Sequence, residues 1–369
     1  MRGRVAVSFE PGRPMEIREY PVRPPEPEEI LVKVTAATIC GSDLHMWRGE
    51  MGGFTARPPR WGGHEMTGVV AALGAGRRTD TRGRPLAEGD RVVYAYFNPC
   101  GQCPACITGT AACPYRYAKR ARLTADDPPH FHGAYNDYYY LLPGQWVFKV
   151  PDELPDAVLP PVNCALAQVI QGLHDVGVWL GDAVVIQGAG GLGIAACAVA
   201  KEMGAGLVIA VDRIPERLAL ARAFGADAVI NLDDLPTPEE RAARVHELTG
   251  GDGADVACEF VGVPGVVQEG LTYLRPGGRY LWVGNIMPGH KAEIVPHDVV
   301  RLSRTVVGVV TYKAWVLPRA LDFLVRTGGR YPFERLISHR YPLEEINRAF
   351  EEADWMARRG GVTRAAIVM

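Results

Sequence analysis

Apolar and polar residues follow a different pattern in each of three zones of the chain. In residues 1 to about 160, short β-branched runs are separated by glycine and proline, which predicts a mostly β module. From about Gly181 to Gly308, apolar runs alternate with helical segments, which predicts a parallel sheet with helices on both faces. The strands predicted there are Ala183–Gln187, Leu207–Val211, Val256–Glu259 and Arg279–Val283, and the helices are Gly191–Met203 and Glu216–Phe224.

The last zone has helical patterns over Pro318–Arg326 and Leu343–Asp354 and ends in a predicted strand, Ala365–Val368. With 369 residues, the chain is long enough for two or three domains. Hydrophobic residues make up 47% and charged residues 22% of the chain, the balance of a globular protein that builds its own core.

The charge of the chain argues against a nucleic-acid partner. Lys and Arg number 40 and Asp and Glu number 42, a formal net charge of −2, so no basic surplus attracts a phosphate backbone. No apolar run approaches the roughly 20 residues that cross a bilayer, and the first residues have no signal-peptide pattern. We therefore expect a cytoplasmic protein that binds a small molecule, with neither nucleic acid nor membrane as a partner.

A glycine-rich segment follows the first predicted strand of the middle zone. Its sequence, Gly188-Ala-Gly190-Gly191-Leu192-Gly193, lies between that strand and a helix, the context in which G-x-G-x-x-G binds a dinucleotide pyrophosphate at a helix N-terminus. Asp212 follows Gly193 by 19 residues, close to the position from which an acidic residue binds the adenosine ribose, and this favours NAD. Arg213 leaves NADP as an alternative cofactor, since an arginine there can bind a 2′-phosphate. A glycine-rich turn beside a surface aspartate is the alternative.

Four of the eight cysteines lie close together in the spacing C-x₂-C-x₂-C-x₆-C. Four thiolates so arranged can enclose one tetrahedral Zn²⁺ with no open position, which is how structural zinc is bound. The spacing predicts a zinc lobe over about residues 98–115, and an iron–sulfur site or reduced cysteines without a metal are the alternatives. The four residues are Cys100, Cys103, Cys106 and Cys113.

Three other residues with metal-ligand side chains come from separate segments. Cys40 begins the run Cys-Gly-Ser-Asp-Leu-His, His64 stands in Gly-His-Glu, and Cys164 ends Pro-Pro-Val-Asn-Cys. Two thiolates, an imidazole and a water form a catalytic zinc site with one open position. Each residue taken alone is more often a core or surface residue, so the prediction depends on their combination.

These motifs together resemble the zinc-dependent medium-chain dehydrogenase/reductase family, which includes the alcohol and polyol dehydrogenases. The resemblance covers nearly the whole chain and includes Thr249-Gly-Gly-Asp-Gly-Ala-Asp255 before a strand. It implies an α/β protein with a GroES-like, mostly β catalytic domain and a Rossmann domain with a doubly wound parallel sheet, the active site lying between them. We expect the catalytic domain to span residues 1–160 and 310–369, and the Rossmann domain residues 161–309.

The resemblance also implies a role for each motif residue. Cys40, His64 and Cys164 would bind a catalytic zinc and the four lobe cysteines a structural zinc, two ions per subunit. Asp43 would orient His64, and Glu65 would lie behind the metal and could bind it transiently.

Proton transfer is implied in the same way. Ser42 would accept the substrate proton and pass it through the cofactor ribose to His45 at the surface. The residues expected to bind the cofactor are Gly188, Gly190, Gly191, Leu192, Gly193, Asp212, Arg213 and Arg217.

The sequence departs from the family pattern in several places, and the segments Arg77–Leu86 and Arg116–Pro129 have the appearance of insertions. The last gap of the cysteine lobe has six residues where seven are usual, so the lobe must close more tightly. Gly41 stands where liver-type enzymes have an arginine, which removes a contact to the pyrophosphate. Many polyol and threonine dehydrogenases have Glu or Asp near the position of Cys164, so the cysteine favours general alcohol oxidation.

The function implied is hydride transfer between a primary or secondary alcohol, or a polyol, and NAD, through a zinc-bound alkoxide. A biosynthetic ketone or aldehyde reductase of the same family is the first alternative, and a non-catalytic dinucleotide-binding protein is the second. The resemblance also implies a homodimer or homotetramer, formed by edge strands near Arg279–Val283 and the strand that follows.

Overall fold

In the computed structural model of the protein, residues 1–51, 57–354 and 363–369 are described. The chain forms two units, and both ends of the chain belong to the first. The first unit comprises Met1–Ala165, Lys313–Gly328 and Phe333–Met369, and the second comprises Leu166–Tyr312 and Gly329–Pro332. The first boundary between the two units therefore lies after residue 165, whereas the sequence predicts it after residue 160. Cys164 consequently belongs to the same unit as Cys40 and His64.

Strands dominate the first unit. In chain-order numbering they are β1 (Arg2–Ser8), β2 (Glu16–Pro21), β3 (Ile30–Thr38), β4 (Arg60–Trp61), β5 (Glu65–Leu73), β6 (Arg91–Tyr94), β7 (Tyr138–Leu141), β8 (Val147–Lys149), β15 (His339–Pro342) and β16 (Ala365–Val368). Three of them form a sheet in the order β2-β1-β4. The other seven form a sheet in the order β15-β16-β3-β5-β6-β8, with β7 paired to β3.

An apolar core cluster in the first unit joins several of these strands. Val5, Leu31, Phe131 and Tyr140 are buried in it, so side chains from β1, β3 and β7 pack together. The C-terminal strand β16 pairs with β3 in antiparallel register, Ala366 opposite Thr38. Helices of this unit are α1 (Gly41–Trp47), α2 (Pro104–Ile107), α9 (Val316–Arg326) and α10 (Ile346–Ala353).

The second unit is a regular alternation of strands and helices. Its strands are β9 (Ala183–Gln187), β10 (Leu207–Asp212), β11 (Ala228–Asn231), β12 (Ala254–Glu259), β13 (Leu274–Trp282) and β14 (Thr305–Gly308). Its helices are α3 (Ala167–Val176), α4 (Gly191–Glu202), α5 (Pro215–Ala223), α6 (Pro238–Leu248), α7 (Val266–Thr272) and α8 (Pro296–Arg301).

The six strands of the second unit form one parallel sheet in the order β11-β10-β9-β12-β13-β14. The strand order reverses beside β9, which is the switch point where doubly wound sheets bind their ligands. Val185, Ile209 and Ala257 are buried in the core beneath α6 and α7. This architecture, with the mostly β first unit, confirms the predicted fold class.

Two predicted elements have different bounds in the structure. The predicted strand Arg279–Val283 overlaps the second half of β13, which ends at Trp282 and begins earlier than predicted. The strand includes Pro276-Gly277-Gly278, residues that indicate a turn by sequence. The predicted helix Leu343–Asp354 consists of a 3₁₀ turn followed by α10, because the backbone at Glu345 leaves helical geometry (φ −96°, ψ 17°). Among the described residues, no helix is long and apolar enough to cross a membrane.

Candidate active site

The pairing of two strands brings Cys40 and His64 together. Strand β3 pairs with β5 in antiparallel register, with Thr38 opposite Glu65. The residues that follow the end of β3 therefore lie beside those that precede the start of β5. Cys40 is the N-cap of α1, and His64 directly precedes β5.

The third residue, Cys164, comes from a π-helical turn, Val162–Leu166. π-helical turns are rare in proteins, and many of those that do occur are at functional sites. Asn163 anchors the turn, because its side-chain amide donates to the backbone oxygens of His64 (3.1 Å) and Tyr94 (3.0 Å). Cys164 is thereby held beside the segment that carries His64, a contact between residues about 100 positions apart.

Four side chains meet at this point: Cys40, His64, Glu65 and Cys164. One ligand atom from each lies within 4.8 Å of all the others. Cys40, Glu65 and Cys164 are buried. Two sulfurs and an imidazole nitrogen are the donors that zinc prefers, so the residues fit a zinc ion.

The protonation of the two thiols also fits a bound cation. The hydrogen bond from Cys164 lowers the pKa of Cys40 well below its ordinary value. Burial opposes this shift, and the hydrogen bond and charge of His64 add to it. The same hydrogen bond, with burial, raises the pKa of Cys164 well above its ordinary value. A metal binds the thiolate form of cysteine, so metal binding at this site would release a proton.

Asp43 controls the orientation of His64. Its Oδ1 lies 3.1 Å from His64 Nδ1, so this carboxylate holds the nitrogen that faces away from the sulfurs. The other ring nitrogen, Nε2, is left for a metal, the arrangement in which a carboxylate fixes a ligand histidine. Ser42 Oγ lies 3.5 Å from the same Nε2, so its hydroxyl is next to the metal-binding position.

Glu65 forms a buried ion pair with an arginine that the sequence analysis does not identify. Arg364, just before β16, contacts Glu65 Oε2, and their side chains are 4% and 0% exposed. Thr38 donates to the same oxygen at 2.5 Å, whereas Oε1 has no hydrogen-bond partner among the described residues. Burial raises the pKa of Glu65 to about 7, with Arg364 opposing the shift.

The cysteine lobe has the geometry of a tetrahedral metal site. The Sγ–Sγ distances are 3.7 Å between Cys113 and Cys100, 3.8 Å between Cys103 and Cys113, and 4.0 Å between Cys100 and Cys106. Zn–S bonds of about 2.3 Å in a tetrahedron give sulfur separations of about 3.8 Å. The four residues fit a zinc ion, and the shortened last gap does not prevent the lobe from closing.

The glycine-rich segment forms the turn between β9 and α4. Gly188 has φ +90°, which favours glycine, and a side chain at Gly193 would clash with the backbone oxygen of Gly188 at 1.8 Å. A side chain at Gly190, the N-cap of α4, would meet nothing within 4 Å. The space in front of the first turn of α4 is therefore open. Gly191 and Leu192 form that turn, and its backbone N–H groups can bind an anion.

The residues after β10 are held by hydrogen bonds to Asp212. Its carboxylate accepts from the backbone N–H groups of Ala189 (2.7 Å), Arg213 (2.7 Å) and Ile214 (2.9 Å). Asp212 therefore ties the glycine turn to the end of β10 and keeps one acceptor position open. Arg213 Nε lies 3.1 Å from Asp233 at the surface, and Arg217 is in the first turn of α5.

Comparison with known proteins matches both units to family models. Residues 26–152 match the alcohol dehydrogenase GroES-like domain, and residues 191–326 match the zinc-binding dehydrogenase domain. The chain is 35% identical to 5-exo-hydroxycamphor dehydrogenase from Pseudomonas putida over 350 residues, 94% of each chain. It is 31% identical to L-threonine 3-dehydrogenase from Pyrococcus horikoshii, over 92% of each chain.

The chain belongs to the zinc-dependent medium-chain dehydrogenase/reductase family. A solved alcohol dehydrogenase from Thermotoga maritima has the same fold, with a TM-score of 0.90, 28% identity and coverage of 100% of this chain and 99% of that chain. The dehydrogenase described here is therefore a zinc-dependent oxidoreductase of alcohols that uses a nicotinamide cofactor, as the motifs predict.

One prediction about the dehydrogenase needs correction: His45 is not at the surface. Its side chain is 8% exposed, and Nδ1 lies 2.6 Å from Glu50 Oε2. The ring is buried because it lies on the inner face of α1. Glu50, 31% exposed, is a further residue that sequence reasoning missed, since no motif includes it.

His130 and His132 are also buried. His130 stacks on Tyr20 with ring centroids 4.6 Å apart, and His132 packs edge-on against Trp61 at 5.2 Å. Among the aromatic residues close to the metal-ligand segments, Tyr96 has its ring centroid 4.7 Å from that of His64.

Proposed function

We propose that the dehydrogenase oxidises a secondary or primary alcohol, or a polyol, with NAD⁺, and that Cys40, His64 and Cys164 bind the catalytic zinc. The observation that carries this proposal is the convergence of these three side chains, of which the two cysteines are buried, with His64 Nδ1 held by Asp43 at 3.1 Å. Cys100, Cys103, Cys106 and Cys113 bind a second, structural zinc in this proposal, and their sulfur separations support it.

The two cofactors supply the chemistry that side chains cannot. Zinc acts as a Lewis acid that makes a hydroxyl easier to deprotonate, and the nicotinamide ring accepts the hydride. The protein binds and orients the two cofactors, and its side chains move protons beside them. Asp43 keeps the His64 ring in a single orientation, and the buried pair of Glu65 and Arg364 keeps the charge behind the metal position balanced.

Proton transfer starts at Ser42 in this proposal. Its hydroxyl is the polar group next to the metal-binding nitrogen of His64, so it is placed to accept the substrate proton. His45 receives the proton and Glu50 stabilises the charged ring, because its carboxylate lies 2.6 Å from Nδ1. The partial exposure of Glu50 provides a way to solvent that the buried His45 lacks.

NAD is the preferred cofactor in this proposal because of the charges after β10. Asp212 repels a 2′-phosphate, and Arg213, which could bind one, is paired with Asp233. The residues for the pyrophosphate are the glycines of the turn and Leu192, with Arg217 nearby in α5.

We favour a secondary alcohol as the substrate. The Pseudomonas relative is named for a hydroxycamphor and the Pyrococcus relative for carbon 3 of threonine, and both names describe a secondary hydroxyl. Tyr96 supports a substrate with an apolar body, since its ring lies against His64. Oxidation and the reverse reduction of a ketone use the same groups, so either direction is compatible with this proposal.

A homodimer or homotetramer in the cytoplasm completes the proposal. Among the described strands β14 pairs only with β13, and Val306 in it is 42% exposed, which supports pairing with a second copy. All eight cysteines are free, which supports a reducing compartment. Light scattering measures the oligomeric state, and a monomer contradicts the proposed assembly.

Metal content and turnover test the proposed sites together. We expect protein purified without chelator to contain two zinc ions per chain and to reduce NAD⁺ faster than NADP⁺ with members of a panel of alcohols and polyols. Cys40→Ser should remove one zinc and the turnover while leaving NADH binding intact.

Cys197→Ser is the matched control for that variant. Cys197 is a buried free cysteine in α4 whose sulfur donates to the oxygen of Gly193, a contact that serine can retain. Normal turnover by Cys40→Ser, or equal loss in both variants, contradicts the catalytic assignment. Bound zinc and NADH without turnover on any alcohol or ketone would favour a non-catalytic dinucleotide-binding protein.

A further inference from the structure

Tyr135 is a fully buried residue between the cysteine lobe and β7. Its ring packs against the chain before His64, where a side chain on Gly63 would lie 2.8 Å from the Cζ atom of Tyr135. Phe350 contacts the ring edge-on, with centroids 5.6 Å apart. The backbone oxygen of Tyr135 accepts from Ala6 N–H at 3.0 Å. The position of this ring is therefore set from several sides.

The Tyr135 hydroxyl is directed at Asp43. It donates to Asp43 Oδ2 at 2.9 Å, and the backbone N–H of Cys40 donates to the same oxygen at 3.0 Å. The other oxygen, Oδ1, holds His64 Nδ1. One carboxylate, 3% exposed, thus connects Tyr135 to two of the residues that converge on the metal position.

A carboxylate without enough donors is costly in this environment, because burial disfavours its charge. Removing the Tyr135 hydroxyl leaves the Cys40 N–H as the donor to Oδ2 among the residues that the structure describes. The carboxylate can then rotate, and the His64 ring loses the constraint on its metal-facing nitrogen. Hydrogen-bond partners behind a ligand act in this way on metal affinity.

We propose that Tyr135 is a positioning residue for the catalytic metal, which it serves by fixing the Asp43 carboxylate between Cys40 and His64. The inference rests on the proposed function for its choice of metal ligands. It goes beyond that function because Tyr135 belongs neither to the proposed metal ligands nor to the proposed proton transfer.

The test is the rate at which zinc leaves the purified holoenzyme for a chromophoric chelator. Comparison with Cys40→Ser identifies the phase that belongs to the Cys40 site. We expect Tyr135→Phe to accelerate this phase by about 10-fold, within the range of about 10–100-fold known for residues behind metal ligands. The phase of the cysteine lobe should not change.

Tyr140→Phe is the matched control. Tyr140 is equally buried in the same unit, and its hydroxyl donates to the backbone oxygen of Arg23 at 2.7 Å, away from Asp43. It should leave both phases unchanged. An unchanged rate in Tyr135→Phe, or acceleration of both phases alike, overturns the inference.

A double variant separates action through Asp43 from a general loss of stability. If Tyr135 acts through the carboxylate, Tyr135→Phe adds no acceleration in an Asp43→Asn background, and an added acceleration overturns the inference. The zinc-release assay needs no substrate. If the enzyme has no activity but the variants release zinc at the expected rates, only the proposed reaction is contradicted. A wild type that releases zinc like Cys40→Ser overturns both proposals.

Discussion

Replacing Arg364 by methionine is expected to destabilise the first unit by about 3–5 kcal/mol, the typical cost of removing one partner from a buried ion pair. The variant keeps the apolar stem but removes the cation that opposes the raised pKa of the fully buried Glu65, which must then either stay charged without a partner or take up a proton beside the Cys40 sulfur. Coulomb's law supports this size, since unit charges about 4 Å apart attract by about 4 kcal/mol at an effective dielectric constant near 20.

Calorimetric unfolding of the zinc-loaded protein measures this loss. At about 2–4 °C per kcal/mol for a domain of this size, the melting temperature should fall by roughly 6–20 °C. Arg348→Met is the control, because Arg348 pairs with Glu345 and Glu352 while 63% exposed, and surface pairs contribute less than about 1 kcal/mol.

The double variant Glu65→Gln/Arg364→Met tests the cause. It should recover part of the lost stability, because the unpaired charge is gone. A melting temperature for Arg364→Met no lower than that of Arg348→Met would refute the reasoning, as would a double variant that is less stable than Arg364→Met.

Two further predictions concern the first unit. Burial lowers the pKa of His132 well below its ordinary value of 6.5, and neither ring nitrogen has a hydrogen-bond partner among the described residues. The unfolded chain therefore binds the proton more readily than the folded chain. The stability provided by neutral His132 is present above pH 6.5 and is lost as the pH falls below this value. The loss in the free energy of unfolding is at most about 1.4 kcal/mol per pH unit. Urea unfolding between pH 5 and pH 7.5 should show a smaller loss for His132→Phe, and equal slopes would contradict the prediction. Cys103→Ser should reduce the zinc content from two to one and lower the melting temperature, because three sulfurs cannot close the lobe; unchanged zinc content by atomic absorption would contradict a structural metal.

Much of the site could be predicted from local sequence because its motifs are short. The turn from Gly188 to Gly193 needs glycines for reasons of backbone angle and close approach, and the lobe cysteines lie within 14 residues of one another. The strands before and after the glycine turn and its helix are apolar runs, so the parallel sheet follows from the alternation of strands and helices.

Contacts between distant segments could not be predicted in this way. The Arg364 side chain reaches Glu65 because β16 pairs with β3, and Tyr135 reaches Asp43 because its ring packs against the segment before His64. An arginine or a tyrosine at such a position has no distinctive spacing, and its burial depends on strands far away in sequence. His45 is a similar case, since its place on the inner face of α1 depends on packing.

The amino-acid sequence by itself therefore determined the family, the fold class, the glycine turn and the residues that could bind metal, because each depends on a few neighbouring residues of fixed chemistry. The tertiary structure alone decided which partners surround those residues: Arg364 behind Glu65, Tyr135 behind Asp43 and Glu50 beside His45. The physical reason is that a buried charge is tolerated only with a partner, and strand pairing, not sequence spacing, brings that partner within reach.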